Sequence, residues 1–191
     1  MIEFCLVKQL TIQDKSSATI STKQLQDLKH EYTATVKELI QVIASFSLKD
    51  FNTIPFPGSW TAGQVTEHVD KSVSGTLYLL NGNVKDTQED PTGKVGAIKD
   101  MFLNFSLKFI AADRIQPTES FHDTSVLITT LGTTMNNMLT AIREKDLAAT
   151  CTDAEVPVFG LLTRLEWVYL SLYHMQRHVQ QLKDIRSCLK H

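Results

Sequence analysis

Two of the chain's six histidines stand four residues apart, in the stretch "SLYHMQRHVQQL" close to the C-terminus. In an α-helix that spacing stacks the side chains on one face, with Cβ atoms about 5–6 Å apart, so both imidazoles can reach one ion at about 2.0–2.1 Å. His174 and His178 therefore have the geometry of two thirds of a three-ligand metal site. The spacing alone is a weak signal. Its weight depends on where the helix points the pair and on whether another element brings a third donor.

The pair falls in a helix expected from about Leu161 to Leu189. Leu161, Leu165, Val168, Leu172, Met175, Val179 and Leu182 recur at three and four and form its core stripe, with Trp167, His174, His178 and Ile185 alongside. Both imidazoles thus lean toward an interior, where adjacent rings without partners are costly and a metal ion would satisfy both. His68 is the third candidate. It follows a capping box of Thr61 with Gln64 and lies beside the apolar line Val65, Val69, Val73, Leu77 and Leu80, a helix that "NGN" at 81–83 ends.

Two more long helices complete the set. Ser21 with Gln24 caps one, whose apolar positions are Leu25, Leu28, Tyr32, Val36, Leu39, Ile43 and Phe46; Leu127, Leu131, Met135, Met138 and Ile142 mark the other. "NTIPFPGSW" is a turn-rich connector, and 84–92 is a polar loop. A shorter helix is expected through "KVGAIKDMFLNFSLKFIAA", with Val95, Ile98, Phe102, Phe105 and Phe109 in register, ended by "QPTESFHDTS". No strand-like alternation and no internal repeat stand out. The pattern predicts an all-α fold, a four-helix bundle with one extra shorter helix in the middle, occupying 21–191 behind an N-terminal arm of residues 1–20.

At this point the chain resembles the DinB-like (YfiT-like) superfamily of four-helix-bundle metalloenzymes. The resemblance rests on "GSWTAGQVTEHVDKS" and, about a hundred residues on, "VPVFGLLTRLEWVYLSLYHMQRHVQQLKDI". Trp60, Gln64, Glu67 and His68 match in one helix, and Gly160, Leu162, Thr163, Glu166, His174, Arg177, His178 and Gln181 in the other. It implies a divalent metal, zinc, nickel or iron, held by His68, His174 and His178, with positions left for water or a small-molecule substrate. Three neutral imidazoles leave such an ion its full charge, which suits either hydrolysis or transfer of a low-molecular-weight thiol. The 84–122 segment departs from the family pattern.

The other residues that match have simpler readings. Trp60 and Trp167 read as packing, and Glu67 and Glu166 as solvated helix charges or, alternatively, as partners orienting the imidazoles. Arg177 reads as a substrate-steering group or a surface or dimer ion pair. His30, His122 and His191 have no helical partner. "ESFH" occurs once, beside Pro117, where a di-iron bundle needs two helix-borne copies, and "HMQRH" lacks the glutamate of a zinc protease.

Composition narrows the function classes. A net charge of −2, mixed along the chain, offers no basic surface for nucleic acid or anionic lipid. No run approaches 18 apolar residues and the N-terminus lacks a leader pattern, so no membrane association is expected. Three scattered cysteines, Cys5, Cys151 and Cys188, read as free thiols of a cytoplasmic protein. Three functions remain: a metal-dependent hydrolase or thiol S-transferase, which needs a solvent-reachable pocket over the histidines; a non-catalytic bundle binding a metal or small molecule; and a metal-free interaction domain. A homodimer is expected and suits all three. No residue is assigned as a catalytic acid or base.

Overall fold

The computed structural model describes residues 20–189. The arm expected over 1–20 lies outside the described residues except for Ile20, as do Cys5 and His191. Four long helices, α1 (Thr22–Ala44), α3 (Ala62–Asn81), α5 (Thr124–Glu144) and α6 (Arg164–Leu189), pack as a ring in which α6 and α5 each touch both α1 and α3. The one-turn α2 (Leu48–Phe51) inserts Phe51 into the core, and α4 (Val95–Phe102) lies against the outside of α6. The fold is the expected all-α bundle with a shorter helix in the middle. Both predicted capping boxes form, at Ser21 and at Thr61.

Helix direction follows from which residues meet. Gln176 and Lys183 of α6 donate to Glu31 and Glu38 of α1 at 3.0 and 2.6 Å, so these two helices run parallel. His68 meets His174 while Arg164 meets Leu80, so α3 runs antiparallel to α6. Gly63 abuts His122, and Leu77 and Asn81 share a surface groove with Thr140 and Glu144, so α3 and α5 are parallel. Two consecutive parallel helices cannot be joined by a short turn. The chain from 82 to 123 must return along the length of the bundle, and it does so first over α6, through α4, and then along α3.

That return path departs from the sequence expectation in two places. Within the polar loop, β1 (Val84–Lys85) pairs antiparallel with β2 (Thr150–Cys151), and Thr150 also bridges to Thr163. Strands of two residues are too short to show alternation. The helix expected through Phe109 stops at Phe102, because the Asn104 side chain accepts from the Ser106 backbone and hydroxyl and so competes with helical hydrogen bonding. Phe105 and Phe109 consequently lie exposed.

Next to the small sheet, Arg164 is buried and, among the described residues, has no carboxylate partner. Its guanidinium donates to Leu80 O at 2.9 Å, at the C-terminal end of α3, and to Asp146 O at 3.2 Å, just beyond α5. The negative ends of helix dipoles favour a cation there.

The loop before α6 carries local strain. Val158 has φ +76° in the turn Val156–Phe159, after Pro157, at the position where such turns favour glycine or asparagine. Its side chain is 88% exposed and loses nothing if removed. Val158→Gly is expected to stabilise the protein by about 1 kcal/mol, read as a rise in Tm of about 2–4 °C; an unchanged Tm would show the turn to be unstrained.

Candidate metal centre

Two helix starts set the height of the histidines. Thr61 Oγ1 accepts from Gln64 N while Gln64 Oε1 accepts from Thr61 N, which places His68 on the second turn of α3. At α6, Thr163 Oγ1 accepts from Glu166 N and Glu166 Oε2 accepts from Thr163 N, a capping box that starts the helix at Arg164 instead of Leu161. The antiparallel packing of the two helices then brings His68 onto the His174–His178 face.

The three side chains converge through one atom each. His174 Nε2 is 3.1 Å from His68 Nε2 and 3.0 Å from His178 Nε2, and one ligand-type atom of each residue lies within 4.8 Å of the other two. The rings are buried, at 3% exposure for His68, 9% for His174 and 8% for His178. Phe102 meets His174 edge-on, and Trp60 flanks His68 with centroids 5.0 Å apart.

Hydrogen bonding fixes where the ring protons are. His68 Nδ1 lies 2.8 Å from Ile115 O, and His178 Nδ1 lies 2.7 Å from Gln181 Oε1; an oxygen acceptor on each side means both Nδ1 atoms carry the proton. Both Nε2 atoms therefore present lone pairs to His174. Among the described residues, His174 has no partner at its buried Nδ1. If it is protonated at Nε2 it can donate to only one neighbour, and if at Nδ1 all three Nε2 lone pairs face one another. Either tautomer leaves a buried mismatch, which a cation at the point of convergence would remove. The residues present therefore fit a divalent ion.

Burial also keeps these rings neutral. Desolvation, reinforced by the other two histidines and Arg177, holds the His174 pKa well below the usual value. Desolvation with the neighbouring His68 brings His178 down to about 3 against the opposing bond to Gln181, and desolvation lowers His68. Neutral imidazole is the form that ligates metal.

The sequence pattern of the DinB superfamily matches residues 31–182, which contain all three histidines. The chain belongs to the DinB superfamily. Neither curated proteins nor solved structures gave a match. A buried three-histidine group in a chain of this superfamily is compatible with a metal-binding DinB-like protein. Among the described residues, no helix is long and apolar enough to cross a membrane, and Cys151 and Cys188 are free thiols.

Other residues of this DinB-superfamily chain take roles different from those expected. Glu67 is no solvated charge and, among the described residues, hydrogen-bonds none of His68, His174 and His178. It accepts from His122 Nε2 at 2.9 Å, from Thr118 N at 2.7 Å and from Lys71 at 2.8 Å. Burial opposes its ionisation, but bonds from Lys71, His122 and Thr118 outweigh that and hold its carboxyl down at about 2. His122, which has no helical partner in sequence, is buried on Gly63, where a Cβ would stand 2.7 Å from the His122 Cβ. Glu166 is also buried; besides capping α6 it accepts from Lys94 N at 2.9 Å and ties α4 to α6.

Among the described residues, Arg177 makes no carboxylate ion pair. Its guanidinium donates to Phe102 O and Asn104 O at 3.0 Å each, and to Leu107 O. Sequence reasoning missed the Ile115 carbonyl behind His68, because a backbone oxygen has no residue signature. Gln181 was visible as a position in the family pattern, three residues after His178 on the same helix.

Proposed function

We propose that His68, His174 and His178 bind one divalent cation, zinc, nickel or iron, through Nε2. We further propose that the protein is a metal-dependent enzyme acting on a small molecule, as a hydrolase or as a transferase of a low-molecular-weight thiol. The observation that carries the reading is the meeting of three neutral imidazole Nε2 atoms with no proton arrangement that satisfies them. Tetrahedral zinc with bonds of about 2.0–2.1 Å has donors about 3.4 Å apart, close to the 3.0 and 3.1 Å between these nitrogens.

The ion would supply Lewis acidity at a position the three neutral donors leave strongly positive, favouring an anionic or ionisable small molecule. His68 and His178 are oriented for ligation by Ile115 O and Gln181 Oε1. Trp60 and Phe102 exclude water from two sides. Glu67 and Glu166 are committed elsewhere and act as neither acid nor base.

Metal-loaded protein incubated with an ester and amide panel, and separately with a small thiol and an alkylating electrophile, tests this. Turnover should follow bound metal and fall at least about a hundredfold in His178→Ala. The near-closure of the three rings favours a second reading, a non-catalytic metal-binding bundle. Full metal occupancy without turnover on either panel would select it.

A further inference from the structure

The return chain from 103 to 122 runs beside the three histidines, reaching His68 through Ile115 O and, through Phe109 on Phe102, the ring that meets His174, and its two limbs are held very differently. The C-terminal limb is fastened to α3 at successive points: His68 donates to Ile115 O, Lys71 to Gln116 O at 2.8 Å, Thr118 N to Glu67, Gln64 to Thr118 O at 3.3 Å, and His122 to Glu67. The N-terminal limb is held at fewer points, one of them Ala111 O, which accepts from Gln116 of the other limb at 2.7 Å. Among the described residues, the hydrogen bonds that join 104–112 to the four long helices come from Arg177 alone.

Arg177 projects from α6 between His174 and His178. Besides its carbonyl bonds, its guanidinium stacks 4.8 Å above the Phe109 ring and 5.8 Å from Phe105. Phe109 in turn stacks on Phe102 at 5.6 Å, and Phe102 meets the His174 ring at 5.9 Å. Little buried apolar surface assists, since Phe105, Leu107, Phe109 and Ile110 are all exposed. A segment so lightly buried opens locally at a free energy far below global unfolding, and the charge-assisted bonds to one side chain dominate its closing.

We infer that Arg177 is a positioning residue that latches the N-terminal limb of this return chain beside the three-histidine group, so that small molecules reach it only when the limb swings away. The inference rests on the reading of that group as the working site. The latch also explains how a buried centre exchanges with solvent while the C-terminal limb keeps His68 in place.

The test compares wild-type full-length protein with Arg177→Met by two readouts that need no metal. One is carbethoxylation of individual histidines by diethyl pyrocarbonate, mapped by mass spectrometry; the other is tryptic cleavage after the exposed Lys108. Arg177→Met should accelerate modification of His174 and His178, and cleavage at Lys108, by at least about tenfold, with Tm and modification of the buried His122 unchanged. Rates within twofold of wild type, or faster cleavage without faster modification of His174 and His178, would overturn the latch. If Arg177→Met fails to fold, Phe109→Ala, altered at an exposed side chain, decides by the same two rates. Zinc uptake by the wild type is measured separately: no uptake alongside faster modification would leave the latch standing and remove the metal reading.

Discussion

Replacing His174 by Ala is expected to take metal content from about one equivalent to close to none in protein purified without an affinity tag, measured by plasma mass spectrometry. His174 is the shared neighbour of the other two rings, 3.1 Å from one and 3.0 Å from the other, so its loss leaves two donors with no common third. Wild-type protein should also gain thermal stability with added zinc or nickel, by about 2.7 kcal/mol when free metal is a hundredfold above Kd, and the variant should not. Equal metal content in the two proteins would refute the site.

The same rings set a pH dependence whose sign is fixed. Their folded-state pKa values lie below the unfolded value near 6.5, with His178 at about 3, so below about pH 6.5 the unfolded chain binds more protons than the metal-free native protein. Stability of the metal-free protein should therefore fall as pH drops from about 6.5 toward 3. Bound metal should move the acid midpoint of unfolding to lower pH by adding stability to the native state, until protonation of the imidazoles releases it.

Glu166→Ala is expected to be among the most damaging single substitutions away from the histidines, costing about 2–4 kcal/mol in denaturant unfolding. The carboxylate is 2% exposed and accepts from Thr163 N and Lys94 N, both at 2.9 Å. Alanine would leave two N–H groups with no acceptor, one of them at the first turn of the helix that carries His174 and His178. Glu166→Gln keeps one acceptor oxygen and should cost about half as much or less. Equal effects for the two variants would mean that charge, and not acceptor count, is what matters there. Metal affinity should fall in Glu166→Ala only as far as α6 loosens, which separates this residue from the three histidines.

By itself the sequence determined the periodic parts of this protein. The stripes Leu28, Tyr32, Leu39 and Ile43, and Leu165, Val168, Leu172 and Met175, are buried as the 3.6-residue repeat requires, and the capping residues Ser21 and Thr61 are local by nature. His174 and His178 were legible for the same reason, since four residues on one helix is a local relation. His68 could be proposed from its inward position, but its meeting with the pair depends on α3 running antiparallel to α6.

Everything set by contact between distant segments was decided only by the tertiary structure. Glu67 reads as a solvated charge until His122, 55 residues away, arrives over Gly63. Glu166 reads likewise until Lys94 N meets it from 72 residues away. Arg177 gave no hint that its partners are carbonyl oxygens, groups every residue carries. The return of residues 82–123 along α6 and α3 follows from the parallel arrangement of α3 and α5, a topological fact with no period, motif or composition to announce it.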